Sequence, residues 1–421
     1  MADTVKRSSL LTALVDPFRP TTDRAEQPYR FTASRRAWFA PLGLGIALLV
    51  ASAVGWNLES EQFYFSYLIG WVFCLSLALG ALFLVMIKHL TKAYWVVAVR
   101  RIPEALLWSF PLLIVLFIPI FFGMNDLFHW TEHGIDDPTS EHFDEILAGK
   151  TAYLNVPFFL IRMAFYFLIW MYLSYRLYTL SIRQDVDPDP NIPALQRRVS
   201  AWGLPLVAVT SAFASFDLLM SLDPHWFSTI FGVYFFGGAF LAALSFIALA
   251  TILLHRGGML HNIITKDHLQ DLGKLMFGFV VFWAYIAFSQ YMLYWYGSIP
   301  EETVWFRHRL EHGWEMYSAI LLIFHFILPF AILLPRAPKR SIPLMSIMTV
   351  WLLVMHWFDL YWIAMPVLHA EHATGIHWLD VTCWLGLFFL FIGVFVWRLS
   401  RHALVPQRDP LLAKSLRFEN A

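Results

Sequence analysis

Ten stretches of mainly apolar residues constrain what this chain can fold into. About 20 apolar residues in a helix cross the roughly 30 Å hydrocarbon core of a bilayer, and a helix satisfies its own backbone hydrogen bonds there. With 59% hydrophobic and 14% charged residues, the chain cannot be a soluble enzyme. The sequence predicts an all-α integral membrane protein with ten transmembrane helices, at residues 37–56, 64–87, 105–124, 153–178, 200–222, 227–254, 273–296, 314–335, 343–366 and 378–398.

The 30 Lys and Arg residues are distributed unevenly around these segments. Most of them fall in the two tails and in the loops after predicted helices 2, 4, 6 and 8. Because Lys and Arg are retained on the cytoplasmic side of short loops, we expect the tails, residues 1–36 and 399–421, to be cytoplasmic. We call the opposite face the predicted outer side. The asymmetry concerns orientation in lipid and does not indicate a nucleic-acid partner.

Two short patterns recur in the membrane domain, residues 37–398. S-x-x-x-G-x-x-F occurs at residues 66–73 and 228–235, and the tripeptide Phe-Asp-Leu occurs at residues 216–218 and 358–360. Such internal similarity is typical of membrane proteins built from structural repeats. We therefore predict two four-helix bundles, helices 2–5 (64–222) and helices 6–9 (227–366), flanked by helices 1 and 10.

Several ionisable or hydroxyl side chains fall within predicted helices. An ionisable group in hydrocarbon is costly unless it is paired or hydrated, so each one calls for a functional hypothesis. His356 and Asp359 are three residues apart and share a helix face. The sequence leaves two uses open, a proton path and a quinone pocket, and a structural Arg162–Asp217 ion pair is the alternative. The candidates for proton transfer are Asp217, Asp359, His356, His325, Arg162 and Tyr166.

Residues at predicted helix ends have simpler explanations. Asp223 followed by Pro224 is typical of an N-cap with proline in the first turn, here of helix 6. Ser298 and Glu301 match a capping box after helix 7. His225 suits the membrane interface.

Two other protein classes remain as alternatives. A dihaem cytochrome could use His312 and His325 with His356 and His369, but a spacing of 13 residues places two side chains on different helix faces. A secondary transporter would fit the repeat. Cys74 and Cys383 are too few for an iron–sulfur cluster. The outer histidines, among them His372, fit a surface that faces a partner.

Two stretches carry a family resemblance. They are DLLMSLDPHWFSTIFGVYFF at residues 217–236 and FSQYMLYWYGSIPEETVW at residues 288–305. With ten predicted helices, they resemble the polysulfide-reductase membrane-subunit (NrfD-type) family. Within it the chain is similar to the smaller of the two such subunits of bacterial alternative complex III, a quinol oxidase complex that passes electrons to cytochrome c or to a terminal oxidase.

The resemblance implies a multi-pass subunit of the bacterial cytoplasmic membrane, in contact with lipid, that holds no cofactor and no complete redox site. Iron–sulfur clusters and c-type haems would belong to partner subunits on the outer side, and quinol would bind the larger NrfD-type subunit. This chain would conduct protons and support that subunit. Asp217, Asp223 and His225 fall in the family motif after helix 5, and Gln290 and Glu301 in the motif after helix 7.

Overall fold

The fold is described by a computed structural model, which covers residues 29–187, 189–371, 373 and 375–420. Within these residues, ten helices are long and apolar enough to cross a membrane and no strand is present. The predicted all-α integral membrane class is confirmed. The spans are α1 (Arg36–Trp56), α2 (Ser60–Thr91), α3 (Arg101–Phe122), α4 (Val156–Val186), α5 (Ile192–Leu222), α6 (Phe231–Arg256), α7 (Lys266–Gly297), α8 (Trp314–Leu333), α9 (Ile342–Leu368) and α10 (Trp378–Leu399).

Most span limits lie within a few residues of the predicted ones. The largest differences are the end of α4, at Val186, and the starts of α5 and α7, at Ile192 and Lys266, where each helix extends several residues further than expected. The additional segments contain polar and charged residues, so hydropathy alone does not detect them. Thr265 caps α7 through its side chain and forms a capping box with His268. Most of the predicted N-terminal tail, residues 1–28, lies outside the described part of the chain.

Two of the spans are interrupted by proline. Span α3 consists of short helical pieces around Pro103, Pro111 and Pro119. Span α8 contains a π-helical segment, Leu321–Ile327, just before Pro329. Proline removes a backbone donor and crowds the preceding turn, so it locally breaks the α-helical hydrogen bonding.

Helices α2 and α6 form the centre of the molecule. They contact each other, and the most apolar part of α2 is completely buried within the protein. Gly80 permits the close approach, because a Cβ there would lie 2.6 Å from the carbonyl oxygen of Ala239 on α6. Small residues at such crossings let membrane helices pack closely.

The remaining contacts surround this centre. Helix α2 contacts α3 and α5, and α4 contacts the same two helices; α6 contacts α7 and α9, and α8 contacts those two. Each of these contacts joins two helices of the same predicted bundle, 2–5 or 6–9. However, α2 also contacts α9, and α5 contacts α6, so both sets share one hydrophobic core. The two-bundle division stays a prediction. Helices α1 and α10 pack against each other, and α10 also packs on α2.

The C-terminal tail is held by buried charges at the predicted cytoplasmic end. Asp409 pairs with Lys88 at 3.4 Å and also with Arg100. Arg100 in turn contacts Glu104 at 2.9 Å. Burial raises the pKa of Asp409, but the charges of Arg100 and Lys88 outweigh it and leave the pKa below its ordinary value. The tail is therefore packed against the ends of α2 and α3.

Candidate functional site

Arg162 and Asp217 form an ion pair between α4 and α5. Nη2 of Arg162 lies 2.8 Å from Oδ1 of Asp217, and Nε lies 3.0 Å from Oδ2. The Asp217 side chain is completely buried. A two-point contact between guanidinium and carboxylate fixes both charges and the orientation of the two helices. The structure thus contains the ion pair that the sequence offers as the alternative role of Asp217.

Aromatic residues hold this ion pair in place. The hydroxyl of Tyr166, on the next turn of α4, donates to Oδ2 of Asp217 at 2.9 Å. The Arg162 guanidinium carbon lies 3.8 Å from the centroid of the Tyr153 ring and 4.4 Å from that of Phe158. Cation–π contacts are strongest where water is excluded. Nη1 of Arg162 donates to the Tyr153 carbonyl at 2.9 Å, so each nitrogen of the guanidinium has a hydrogen-bond partner.

Asp359 occupies a different environment in the middle of α9. The hydroxyl of Tyr234 on α6 donates to Oδ1, and Nε1 of Trp283 on α7 donates to Oδ2 at 3.1 Å. The residue is 2% exposed. Both partners are uncharged, and no cation pairs with Asp359 among the described residues. The site therefore holds a buried carboxyl group without a counter-charge.

The two carboxyl groups also lie at different distances from the ends of their helices. The α-helical part of α5 ends at Leu218, directly after Asp217, and continues only as a short 3₁₀ turn. Helix α9 continues from Asp359 to Leu368. Asp359 therefore lies further from the end of its helix than Asp217 does.

His356 adds a second titratable group beside Asp359. Its Nε2 lies 2.8 Å from the hydroxyl oxygen of Ser76 on α2, and its Nδ1 is buried without a partner in the described chain. A Cβ on Gly238 of α6 would lie 3.2 Å from that Nδ1 and 3.6 Å from Oδ2 of Asp359. Glycine at position 238 thus leaves room for both side chains at the α6–α9 contact.

His325 lies in the π-helical segment of α8. Its ring stacks on Trp283, with centroids 4.1 Å apart, and neither ring nitrogen has a partner among the described residues. The widened turn leaves the carbonyl of Phe324 free to accept from Nε1 of Trp351 at 2.8 Å. π-Helical segments are frequent at functional sites. The segment places His325 against the face of the Trp283 ring, whose Nε1 donates to Asp359.

Asp359, His356 and His325 therefore belong to one buried group, which we call the α9 cluster. It also includes Tyr234, Trp283 and Ser76, so that helices α2, α6, α7, α8 and α9 all contribute. Arg162, Asp217 and Tyr166 form a separate group between α4 and α5. The six sequence-predicted residues are thus divided between two sites.

The helix-cap predictions are wrong at both places. Helix α6 begins at Phe231 after Ile230, with no side-chain cap, so Asp223 does not cap it. Residues 223–230 instead form turns, in which the Trp226 ring stacks on Trp305 at 4.3 Å. Ser298 ends α7 with a left-handed backbone, φ +48°, and the next short helix, Pro300–His308, has no side-chain cap. Glu301 is an exposed residue in its first turn.

The turn that follows α5 is tied to the long loop between α3 and α4. Nε2 of His225 lies 2.6 Å from Oδ2 of Asp144, and Nζ of Lys150 donates to the Pro224 carbonyl at 2.6 Å. Burial raises the pKa of Asp144, but hydrogen bonds from His225 and from backbone N–H groups outweigh it and lower the pKa. His225 therefore anchors a loop rather than lying alone at the interface.

Gln290 and Arg309 make hydrogen bonds that stabilise the predicted outer end of helices α6 to α9. The Oε1 of Gln290 accepts from the Ser228 hydroxyl at 3.1 Å, and the residue is buried. Arg309 donates to the carbonyls of Trp362 and Ile363 on α9. The Trp362 carbonyl is free because Pro366, four residues later, has no N–H to donate to it. Arg309 thus fills a gap created by proline, a role that its loop position did not suggest.

A further buried carboxyl group lies between α2 and α10. Oδ1 of Asp380 accepts from Nε2 of Gln62 at 2.9 Å and from the Ser66 hydroxyl at 2.5 Å. Nε2 of His369 reaches Oε1 of Gln62 at 2.9 Å, so His369 is bound to α2 and lies just beyond the end of α9. His312 lies before α8, in a turn with φ +56°. His372 lies outside the described residues.

Sequence reasoning missed Tyr234, Trp283 and Ser76 as members of the α9 cluster. Tyr234 lies within the stretch at residues 217–236 that carries the resemblance, and this signal could have singled it out. Trp283 is one of 19 tryptophans in an apolar sequence, and nothing local distinguishes it. Its role depends on the rotation of α7 toward α9.

Neither a scan against protein-family models nor a search of the curated proteins finds a match for this chain. Within the described residues, no group of three or more His, Cys, Asp or Glu side chains is placed to hold a metal ion. The α9 cluster offers carboxyl, imidazole and hydroxyl groups. These groups can accept, donate and pass protons.

Proposed function

We propose that this chain is the smaller NrfD-type membrane subunit of an alternative complex III in a bacterial cytoplasmic membrane, with both termini in the cytoplasm. In this proposal it moves protons through the α9 cluster and supports the larger, quinol-oxidising NrfD-type subunit. The resemblance of residues 217–236 and 288–305 supports the assignment to a complex. The α9 cluster supports the assignment of proton transfer.

The observation that carries the proton role is the pairing of Asp359 with neutral donors only. A carboxylate in a dry interior is costly unless a positive charge compensates it. Asp359 has Tyr234 and Trp283 as partners, so it is stable there when it holds a proton or when a proton lies close by. His356 beside it can receive that proton. Such a group changes its protonation without breaking an ion pair.

The Arg162–Asp217 pair has the opposite character and is proposed as structural. Releasing a proton carrier from a bidentate guanidinium would require the loss of several charge-assisted hydrogen bonds. Tyr166 adds a further donor to the same carboxylate. We therefore assign this group to joining α4 and α5, and we restrict the proton-transfer role to Asp359, His356 and His325.

Partners on the predicted outer side would carry the redox centres, namely iron–sulfur clusters and c-type haems. The loop between α3 and α4 offers a docking surface for them. It presents exposed acidic residues, among them Glu132, Asp136, Asp137 and Glu141, and it is anchored at His225. An anchored charged loop can steer and orient a protein partner.

Purification from native membranes tests the assignment to a complex. A tag on the C-terminal tail should retain a second NrfD-type subunit together with c-type haem, seen in the visible spectrum, and quinol:cytochrome c oxidoreductase activity. Isolation of the chain alone, active in solute uptake, would contradict the proposal and favour a secondary transporter. Many transporters of that class have interrupted helices at equivalent positions of their two repeats. Here α3 is the second helix of its predicted bundle and α8 is the third helix of the other, so the interrupted spans do not support that class.

A further inference from the structure

A small cleft lies between α3 and α4, in the half of the molecule nearest the predicted cytoplasmic side. Trp108 and Pro111 of α3 and Met171 of α4 line it, and its walls are apolar or aromatic except at Ser174. Tyr175, which also lines it, is 59% exposed on a membrane-spanning helix, so the cleft opens toward lipid. Its volume of about 120 Å³ is below the range of sites for whole small molecules, about 300–1,000 Å³. This α3–α4 cleft therefore suits part of a hydrocarbon chain.

Ser174 places one unpartnered hydroxyl in the wall of the cleft. The residue is 3% exposed, and its Oγ has no hydrogen-bond partner among the described residues. Buried polar groups are normally hydrogen-bonded. In a phospholipid, ester groups join the head group to the acyl chains, and an ester carbonyl can accept from the Ser174 hydroxyl. The hydroxyl thus fits a ligand that carries a polar atom next to its chain.

A guanidinium group lies next to the cleft. The guanidinium carbon of Arg398, in the last turn of α10, is 3.8 Å from the centroid of the Trp108 ring and 4.3 Å from that of Tyr178. Trp108 also lines the cleft. Tyr178 follows Ser174 by four residues on α4, about 6 Å along the helix axis. Arg398 therefore lies about one helical turn closer to the predicted cytoplasm than the Ser174 hydroxyl, in the order in which a phosphate precedes an ester group.

The positive charge beside the cleft is not neutralised by acidic side chains. Among the described residues neither Arg398 nor the exposed Arg401 forms an ion pair, and Asp185 at the same end of the molecule pairs with Arg101. Burial, followed by the charges of Arg398, Arg101 and Arg401, lowers the pKa of His402 to about 4. Its imidazole is therefore neutral near pH 7, and the surrounding positive charge favours an anion.

We propose that the α3–α4 cleft and these two arginines bind one anionic phospholipid. Arg398 and Arg401 contact its phosphate, the Ser174 hydroxyl donates to an ester carbonyl, and an acyl chain fills the cleft. Basic pockets between membrane helices on the cytoplasmic side bind anionic head groups. A free phosphate would leave the cleft and Ser174 unused, and a zwitterionic lipid would bring its own cation next to two arginines. The inference goes beyond the proposed function, because it needs lipid but no partner subunit.

Native mass spectrometry of the full-length protein in detergent, titrated with phosphatidylglycerol or with phosphatidylethanolamine, tests the site. One phosphatidylglycerol should bind at least about tenfold more tightly than phosphatidylethanolamine. Arg398→Gln should weaken this first binding step about tenfold, which corresponds to about 1.4 kcal/mol, because charge-assisted hydrogen bonds to the phosphate are lost. Arg256→Gln is the matched control, since Arg256 is exposed in the last turn of α6, and it should leave the affinity unchanged.

Two further variants test the site if Arg398→Gln does not fold. Arg401→Gln changes an exposed side chain and should weaken phosphatidylglycerol binding about threefold. Ser174→Leu fills the cleft and should also weaken binding, whereas Ala208→Leu on the exposed surface of α5 should not. Equal affinity for the two lipids, or unchanged affinity in Arg401→Gln and Ser174→Leu, would overturn the inference. Release of the lipid by excess inorganic phosphate would identify a simple anion site and would also overturn it.

Discussion

Two aspartates in the same Phe-Asp-Leu tripeptide have opposite surroundings in this protein. Asp217 is held by Arg162 and Tyr166, so its negative charge is fully compensated. Asp359 is equally buried but is held by Tyr234 and Trp283, which carry no charge. Local sequence therefore does not decide what a buried carboxyl group does. The helices packed against the carboxyl group decide its role, because they supply or withhold the counter-charge.

The largest expected effect follows from removing one partner of the charged pair. Arg162→Met should lower the free energy of unfolding by about 3–5 kcal/mol, because Asp217 is left buried without its cation. Chemical unfolding of the purified protein in detergent measures this change. The double variant Arg162→Met with Asp217→Leu should recover most of the loss. A single variant as stable as wild type would show that the pair does not hold α4 and α5 together.

Substitution of the two aspartates compares the sites directly. Asp217→Asn should approach the loss seen for Arg162→Met, since it leaves a buried guanidinium unpaired. Asp359→Asn should lower the free energy of unfolding by only about 1–2 kcal/mol, because one neutral donor is left without its acceptor. The same unfolding measurement serves both variants. Equal losses of stability in the two variants would contradict the conclusion that Asp217 depends on a counter-charge and Asp359 does not.

Tyr234→Phe sharpens the comparison at the neutral site. The variant removes one hydrogen bond to Asp359 and keeps the ring, so we expect a loss of about 1 kcal/mol in stability. Proton transfer in the assembled complex should slow severalfold, as seen with a pH-sensitive dye inside vesicles. Tyr166→Phe is the matched control at Asp217 and should leave the proton rate unchanged. A slower rate in the control alone would reverse the assignment of the two sites.

The smallest effect is expected at the loop anchor. The lowered pKa of Asp144 means that its contribution to loop docking is complete above the ordinary carboxyl pKa of about 3.9 and is lost as the pH falls through the lower folded-state value. The pair is partly exposed, so it contributes only about 0.5 kcal/mol. Hydrogen exchange of residues 123–155 should increase in this acid range. Asp144→Asn should show the faster exchange already at neutral pH.

The sequence was sufficient to predict the spans, because the cost of exposing backbone and polar groups to lipid leaves few choices. It also predicted that Arg162 and Asp217 could meet, from depth alone. It did not predict Tyr234 and Trp283 as partners of Asp359, because these contacts depend on how α6 and α7 rotate about their axes. The prediction of an N-cap at Asp223 was wrong because Trp226 stacks on Trp305, and this contact favours a turn where a helix start was expected.

The proton-to-electron ratio of the proposed complex in sealed vesicles tests the proposed role of Asp359 most directly. Asp359→Asn should keep quinol oxidation and subunit composition while fewer protons cross per electron, and Asp359→Glu should restore part of the ratio. A ratio equal to that of wild type in Asp359→Asn, in a complex that oxidises quinol normally, would contradict proton transfer through this residue.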